Sequence, residues 1–447
     1  MAGTKFQKGE VQVVNTTSQG ARQQGSEAKA EPLSSFSIGH SHDSISAELQ
    51  GRAYDNIRSN PHERLSLAVS LPLCPALDLT CGAIAVASTN SKMQEEYTAA
   101  VINELQSTAA LVGDKRELCS LQIIGASANC LSDLLLGQIF STITEHFDVT
   151  PQTEFSFELD PRRASRSQLT FLRGLGVNEL KLQVRDMHPS VQNEIGRYQS
   201  AEMLEDVINV ARELEYQSVG ADQLFGMPGQ TPETLASSID LLVSLGVDWI
   251  ECHPFVKREK RFPHQAALTD RMLPSLTDKL VLYNQLSESL LSSGYSVLGL
   301  STFARPDHKL AVSRQAGKLS ISTYGFHNHP QAWVLGVGLG AISELPEMFI
   351  ENAQRWDDWH EHAQASELRP RLGLLDSNND VGLRYLLRQL LCNQGVPAGS
   401  PALEKRLRPL IDLGVLEQAD QRLQITAMGQ DWLPVYLSDS SPAFRCI

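Results

Sequence analysis

The strongest constraint on this chain is the regular return of short strand-like runs, each followed by a segment of helical length. The runs are LSLAVSLPL (65–73), LQIIGAS (121–127), EFSFELD (154–160), ELKLQVR (179–185), VGADQLFGMP (219–228), DWIECHPF (248–255) and SVLGLSTF (296–303), at start-to-start intervals of 25 to 56 residues. Amphipathic stretches such as AEMLEDVINVARELEY (201–216) and PETLASSIDLLVSLG (232–246) lie between them. Strands separated by helices predict successive βα units and an α/β fold with a parallel sheet. Several helices stop at a glycine just ahead of the next strand, as in LRGLGVNEL and LVSLGVDWI, where a residue tolerant of positive φ ends the helix. Seven candidate strands suit a full or partial barrel or an open doubly wound sheet, and in each the C-terminal strand ends would carry the chemistry.

Residues 1–45 contain only two aromatics, Phe6 and Phe36, among Gln, Ser, Gly, Lys and Glu. Such a segment buries too little apolar surface to offset the entropy of ordering and reads as a disordered tail. Residues 46–345 read as the βα domain and 346–447 as a mostly helical domain. In the latter, DVGLRYLLRQLLCNQG (380–395), PALEKRLRPLIDLGVL (401–416) and a short hairpin in QADQRLQITAMGQ (418–430) give a winged-helix-like order. The net charge of −14 argues against a general role in binding nucleic acid, though it leaves room for a local basic patch. No apolar run reaches the ~18 residues of a membrane span, and the N-terminus lacks the apolar core of a signal peptide. The expected location is the cytoplasm, with no membrane association. Seven cysteines, an odd number at wide spacing, do not form a disulfide framework; only Cys74 and Cys81 are close enough in sequence to suggest paired metal ligands.

Order and spacing along the chain resemble one family. LSLAVSLPLC (65–74) looks like its first strand and cluster loop, and ELDPRRASRSQLTFLRGLGVNELKLQVRD (158–186) like its core strand–helix–strand. VQNEIGRYQSAEM (191–203), ADQLFGMPGQTPETL (221–235), FARPDHKLAVSRQAGKL (303–319) and VLGVGLGAIS (334–343) follow in the same order. Over roughly residues 65 to 440 the chain resembles the oxygen-independent coproporphyrinogen III oxidases, radical S-adenosylmethionine (SAM) enzymes of haem synthesis. The resemblance implies a partial (β/α)6-type barrel followed by that family's own C-terminal domain. It further implies a 4Fe-4S cluster, SAM, a tetrapyrrole substrate and oxidative decarboxylation of propionates to vinyl groups; the electron donor is not indicated.

Within that resemblance the cluster motif departs. The family spaces three cysteines as Cys, three residues, Cys, two residues, Cys, whereas this loop reads Cys74-Pro-Ala-Leu-Asp78-Leu-Thr-Cys81. The candidate metal ligands are therefore Cys74, Asp78 and Cys81, with a hard carboxylate where soft thiolate suits iron. Ala68 stands for a tyrosine near SAM, Ala83 for a cysteine associated with a second SAM, and Arg185 for a glutamine. Gly125-Ala126-Ser127-Ala128-Asn129 stands for the family's glycine-rich turn, of which Gly125 is retained. Glu158, Arg197 and Asp222 match positions that contact SAM. Each also has a purely structural reading: Glu158 at a strand exit followed by a capping Asp160, Arg197 paired with a nearby carboxylate, Asp222 as a buried hydrogen-bonded acid.

Two function classes follow: a divergent radical SAM oxidase with a Cys-Asp-Cys cluster, or a non-catalytic paralogue that binds a tetrapyrrole, haem or a partner protein. His360 and His362 point to different sides of a helix and suit a solvated face better than zinc. His327 and His329, in YGFHNHPQ, read as loop histidines before they read as haem ligands. Gly336 and Gly338 read as close-packing glycines rather than a phosphate site.

Overall fold

The computed structural model describes residues 43–75, 77–81, 86–87, 90–113, 115–125, 127–260, 262–329, 332–365, 367–375, 378–392, 395–399 and 401–440. Residues 1–42 of the expected tail, together with Ala83 and Ala126, lie outside the described residues; Asp43–Ile45, also assigned to that tail, form a short strand.

Six parallel strands stand side by side in chain order: β1 (Leu65–Ser70), β2 (Arg116–Ile124), β3 (Glu154–Leu159), β4 (Glu179–Arg185), β5 (Ser218–Phe225) and β6 (Trp249–Pro254). A seventh, β7 (Trp333–Val337), pairs in parallel with β1 on its other side. The order is that of a partial (β/α)6-type barrel with helices between the strands. Among these helices are α1 (Ser91–Val112), α2 (Asp133–His146), α3 (Arg166–Gly174), α4 (Ala201–Glu213), α5 (Pro232–Ser244) and α6 (Leu276–Ser292). Their starts follow capping chemistry. Ser200 accepts from the Met203 amide ahead of α4, and Thr231 with Thr234 makes a reciprocal capping box at α5. The predicted glycine stops are present: Gly176 (φ +100°) after α3 and Gly246 (φ +68°) after α5.

Residues alternate along each strand. Leu67, Val69, Phe155, Phe157, Leu180, Leu182, Val219 and Ile250 are buried in the apolar core against the helices. The intervening Ser70, Gln122, Glu158, Lys181, Gln183, Asp222 and Glu251 line hollows inside the sheet. A parallel sheet covered on both faces reads as continuous hydrophobic sequence, so this alternation marks an interior built for polar contents.

The seventh predicted strand differs from expectation. Residues 296–303 do not add one more parallel strand. They reverse into an antiparallel hairpin of Ser296–Gly299 and Thr302–Ala304, and the second arm pairs antiparallel with β6. Leu300 at φ +46° makes the reversal. The sheet also continues past residue 345 through Ile342–Leu345, Met348–Glu351 and Arg371–Leu375, ending on Asp43–Ile45, all antiparallel. Beyond it, helices Asn378–Leu391, Pro401–Asp412 and Ala427–Ser440 pack with the hairpin Leu416–Ala419/Arg422–Ile425 around Leu387, Leu407, Leu410 and Leu423. Arg388 ties this part to the sheet through buried Glu344 at 2.8 Å.

The glycines of LGVGLG serve close packing. A Cβ at Gly336 would sit 2.5 Å from the Ile342 carbonyl oxygen, and one at Gly338 (φ +98°) 2.4 Å from that of Ser70. Gly338→Ala is expected to cost about 3 kcal/mol through backbone clash and strain, read by chemical denaturation. An exposed control, Gly317→Ala, meets no atom within 4 Å and carries only its own positive-φ strain, costing about 1 kcal/mol.

Candidate functional site

The C-terminal ends of the parallel strands open into a cavity of about 510 Å³, lined by Ser70, Gly125, Glu158, Lys181, Gln183, Arg185, Asp222 and His253 from successive strands, with Thr80, Arg258, Tyr324 and Glu351 around them. A narrower hollow of about 90 Å³ lies deeper, between Glu154, Glu179, Lys181, Glu251 and Lys309. The charges inside are paired: Lys181 with Glu251, and Lys309 with Glu179 and with Glu154 (3.3 Å). Burial alone would push the Glu251 carboxyl up, but Lys181 and His253 outweigh it and hold it well below the usual carboxylate range.

The residues of the expected cluster loop are brought together at one end of this cavity. Cys74 and Cys81 are buried in a small apolar cluster beside Leu77 and form no disulfide. The loop is fastened by its backbone: the Leu79 amide donates to Ile195, and the Cys81 carbonyl accepts from the Gln265 side chain at 3.1 Å. Asp78, only 5% exposed, has both carboxylate oxygens engaged. Oδ1 accepts from the Thr80 amide (3.0 Å) and hydroxyl (2.8 Å), and Oδ2 accepts from Nη1 of Arg197 (3.2 Å). Arg197, 2% exposed, also donates to Asp160 at 3.2 Å and to the Gln183 carbonyl. Asp160 is further held by Arg162 at 2.6 Å and caps that residue's turn. Asp78, Arg197 and Asp160 thus form an alternating buried chain of charges that ends on half-buried Arg162. Burial raises the Asp78 and Asp160 carboxyls, but the guanidiniums and hydrogen bonds win and hold both below the ordinary 3.8.

The other expected contacts are engaged within the protein as well. Glu158 accepts the Gly125 amide at 3.0 Å. Gly125 itself is required by packing, since at φ +147° its Cβ would lie 2.3 Å from the Leu71 carbonyl oxygen. Asp222 accepts from the amides of Val184 (2.7 Å) and Arg185 (3.3 Å) and from the Arg185 guanidinium. The structural readings of Glu158, Arg197 and Asp222 describe this geometry. Sequence reasoning did not single out Thr80, Arg162, Lys181 or Glu251; the alternation in ELKLQVR and DWIECHPF placed Lys181 and Glu251 on one face and was the available signal.

Among the described residues no group of three or more His, Cys, Asp or Glu side chains is arranged to hold a metal ion. The one carboxylate between the two thiols is committed to Arg197 and Thr80. Cys130 lies on a turn and donates to the Leu73 carbonyl at 3.3 Å, and burial pushes its thiol up to about 11.

His327 and His329 are both buried, with rings stacked at 3.9 Å. His329 Nδ1 lies 3.5 Å from the Cys119 sulfur. The hollow beside both rings is about 10 Å³, too small for a macrocycle. His360 stacks on Trp356, while His362 faces a separate hollow with Glu104 and Arg371, so the two do not converge. Among the described residues no helix is long and apolar enough to cross a membrane.

No protein-family model matches the chain. Over 331 residues it is 28% identical to the oxygen-independent coproporphyrinogen III oxidase of Pseudomonas aeruginosa, covering 74% of this chain and 72% of that one. Over 383 residues it is 26% identical to the Escherichia coli K12 enzyme of the same name, covering 83% and 84%. Over most of its length the chain is similar to the oxygen-independent coproporphyrinogen III oxidases. Among solved structures, coproporphyrinogen III oxidase from Escherichia coli, described as a radical SAM enzyme, shares the fold, with a TM-score of 0.81 at 24% identity over 91% of this chain and 97% of that one. The fold of these oxidases is retained here around a loop whose middle position is a paired aspartate.

The acid response follows from that pairing. Folded Asp78 and Asp160 bind protons more weakly than the unfolded chain does, so their stabilisation is complete above about pH 4 and is lost as pH falls through their depressed folded values. Unfolding free energy measured from pH 7 to pH 2.5 is expected to drop below pH 4. Asp78→Asn should lower it by about 2 kcal/mol at pH 7 and shrink the acid-induced drop.

Proposed function

We propose that the protein is an oxygen-independent coproporphyrinogen III oxidase-like member of porphyrin metabolism that holds a tetrapyrrole in the 510 Å³ cavity without the cluster-dependent radical reaction. The observation that carries this reading is the commitment of Asp78 to Arg197 and Thr80. To act as an iron ligand, Asp78 would have to give up its contact with a buried guanidinium, leaving Asp160 as that cation's one carboxylate partner, at a cost of roughly 2 kcal/mol. The cavity's position at the C-terminal strand ends is where this class of fold binds ligands. Its rim offers Arg185 and Arg258, and guanidinium groups suit propionate carboxylates through paired hydrogen bonds.

The competing reading is a cluster on Cys74, Asp78 and Cys81 supporting SAM cleavage, for which the relatives' names and fold speak. Anaerobic iron–sulfur reconstitution separates the two. The expected outcome is far fewer than four irons per chain after desalting, with coproporphyrin III still quenching the protein's tryptophan fluorescence. Four irons with a paramagnetic signal that shifts on adding SAM would overturn the proposal.

A further inference from the structure

Arg185 occupies an irregular place in β4. The ladder to β5 slips there: Gln183 stands opposite Asp222, but Arg185 stands opposite Gln223. Arg185 itself has φ +68°, a left-handed conformation that is strained for a long side chain. Such bulges re-aim side chains beside ligand sites. Here the bulge wraps Asp222, which takes both the Val184 and Arg185 amides and Nη1 of Arg185. One carboxylate does not exhaust a five-donor fork, and Nε of Arg185 has no hydrogen-bond partner. The same side chain lines the main cavity next to Thr80, Gln183 and Lys181, and Lys181 is already held by Glu251. The acids that face this cavity are Glu158 and Glu351 besides Asp222, and Glu158 receives the Gly125 amide.

We infer that Arg185 is a specificity-determining residue that makes the β4 edge of the cavity a receptor for a ligand carboxylate and turns away the net-cationic SAM. The inference rests on the proposed reading of this cavity as the ligand site. Asp222 positions the guanidinium through Nη1 and supplies its counter-charge, while Nη2 meets one propionate-type carboxylate. SAM carries a sulfonium and an ammonium against one carboxylate. At this edge its positive groups would meet a guanidinium instead of the neutral glutamine expected by resemblance, and the nearby carboxylate is already spent on that guanidinium.

Three probes are titrated into wild type, Arg185→Gln and Arg185→Lys, each verified as folded by circular dichroism. Succinate at millimolar concentration should raise the thermal midpoint of wild type and not that of Arg185→Gln. Coproporphyrin III should bind Arg185→Gln at least tenfold more weakly than wild type, with Arg185→Lys between them. SAM should show no saturable binding to wild type. Equal succinate and coproporphyrin responses in wild type and Arg185→Gln, or saturable SAM binding by wild type, would overturn the role of Arg185. If Arg185→Gln does not fold, the comparison of wild type with Arg185→Lys decides, because Lys keeps the charge but not the fork. A succinate response without any coproporphyrin response would leave the carboxylate receptor standing and remove the tetrapyrrole reading instead.

Discussion

Six parallel strands turn serines, glutamines, acids and a lysine toward a common interior, and none of those groups can be buried unless another meets it. Lys181 meets Glu251, Lys309 meets Glu179 and Glu154, Arg185 meets Asp222, and Arg197 meets Asp78 and Asp160. These pairs do not make the fold more stable than an apolar interior would. They allow a hollow, polar interior to exist inside a sheet whose other face is packed against helices. What each charge can do for a ligand is then set by how much of it its partner consumes.

The loop between Cys74 and Cys81 shows that consequence most clearly. A thiolate at its middle position would be one more soft donor; a carboxylate is an anion in search of a counter-ion. Arg197 lies within reach because the turn after the helix Pro189–Ile195 brings it under the loop, where the Leu79 amide also finds the Ile195 carbonyl. Asp78 therefore fastens the loop. Arg185 repeats the logic on β4, where it takes up Asp222 and also acts on Asp78. Asp78 and Asp222 are thereby both held in internal ion pairs.

Much of the fold was legible because strand periodicity and glycine stops are local. ELKLQVR is a strand at the predicted boundaries, and PETLASSIDLLVS is helical as expected. The run 296–303 was misread because its reversal is made by Leu300 at positive φ, a residue that carries no turn signal. The antiparallel strands beyond β7 are short and pair with segments far away in sequence, so no local pattern announced them. The site was legible in part. For Arg197 a carboxylate partner was one of two readings beside a SAM contact, yet Asp78 lies 119 residues away, and spacing alone could not choose it from the chain's other acids. The bulge that redirects Arg185 depends on the register between two strands, which only the assembled sheet defines.

The central claim is that Asp78 serves as the counter-ion of Arg197. A double-mutant cycle in the metal-free protein, with Asp78→Asn, Arg197→Met and the double variant compared by chemical denaturation, tests it most directly. The account predicts strongly non-additive losses, with a coupling of about 2 kcal/mol or more between the two positions. Additive losses with coupling near zero would contradict it and return Asp78 to the role of a candidate metal ligand.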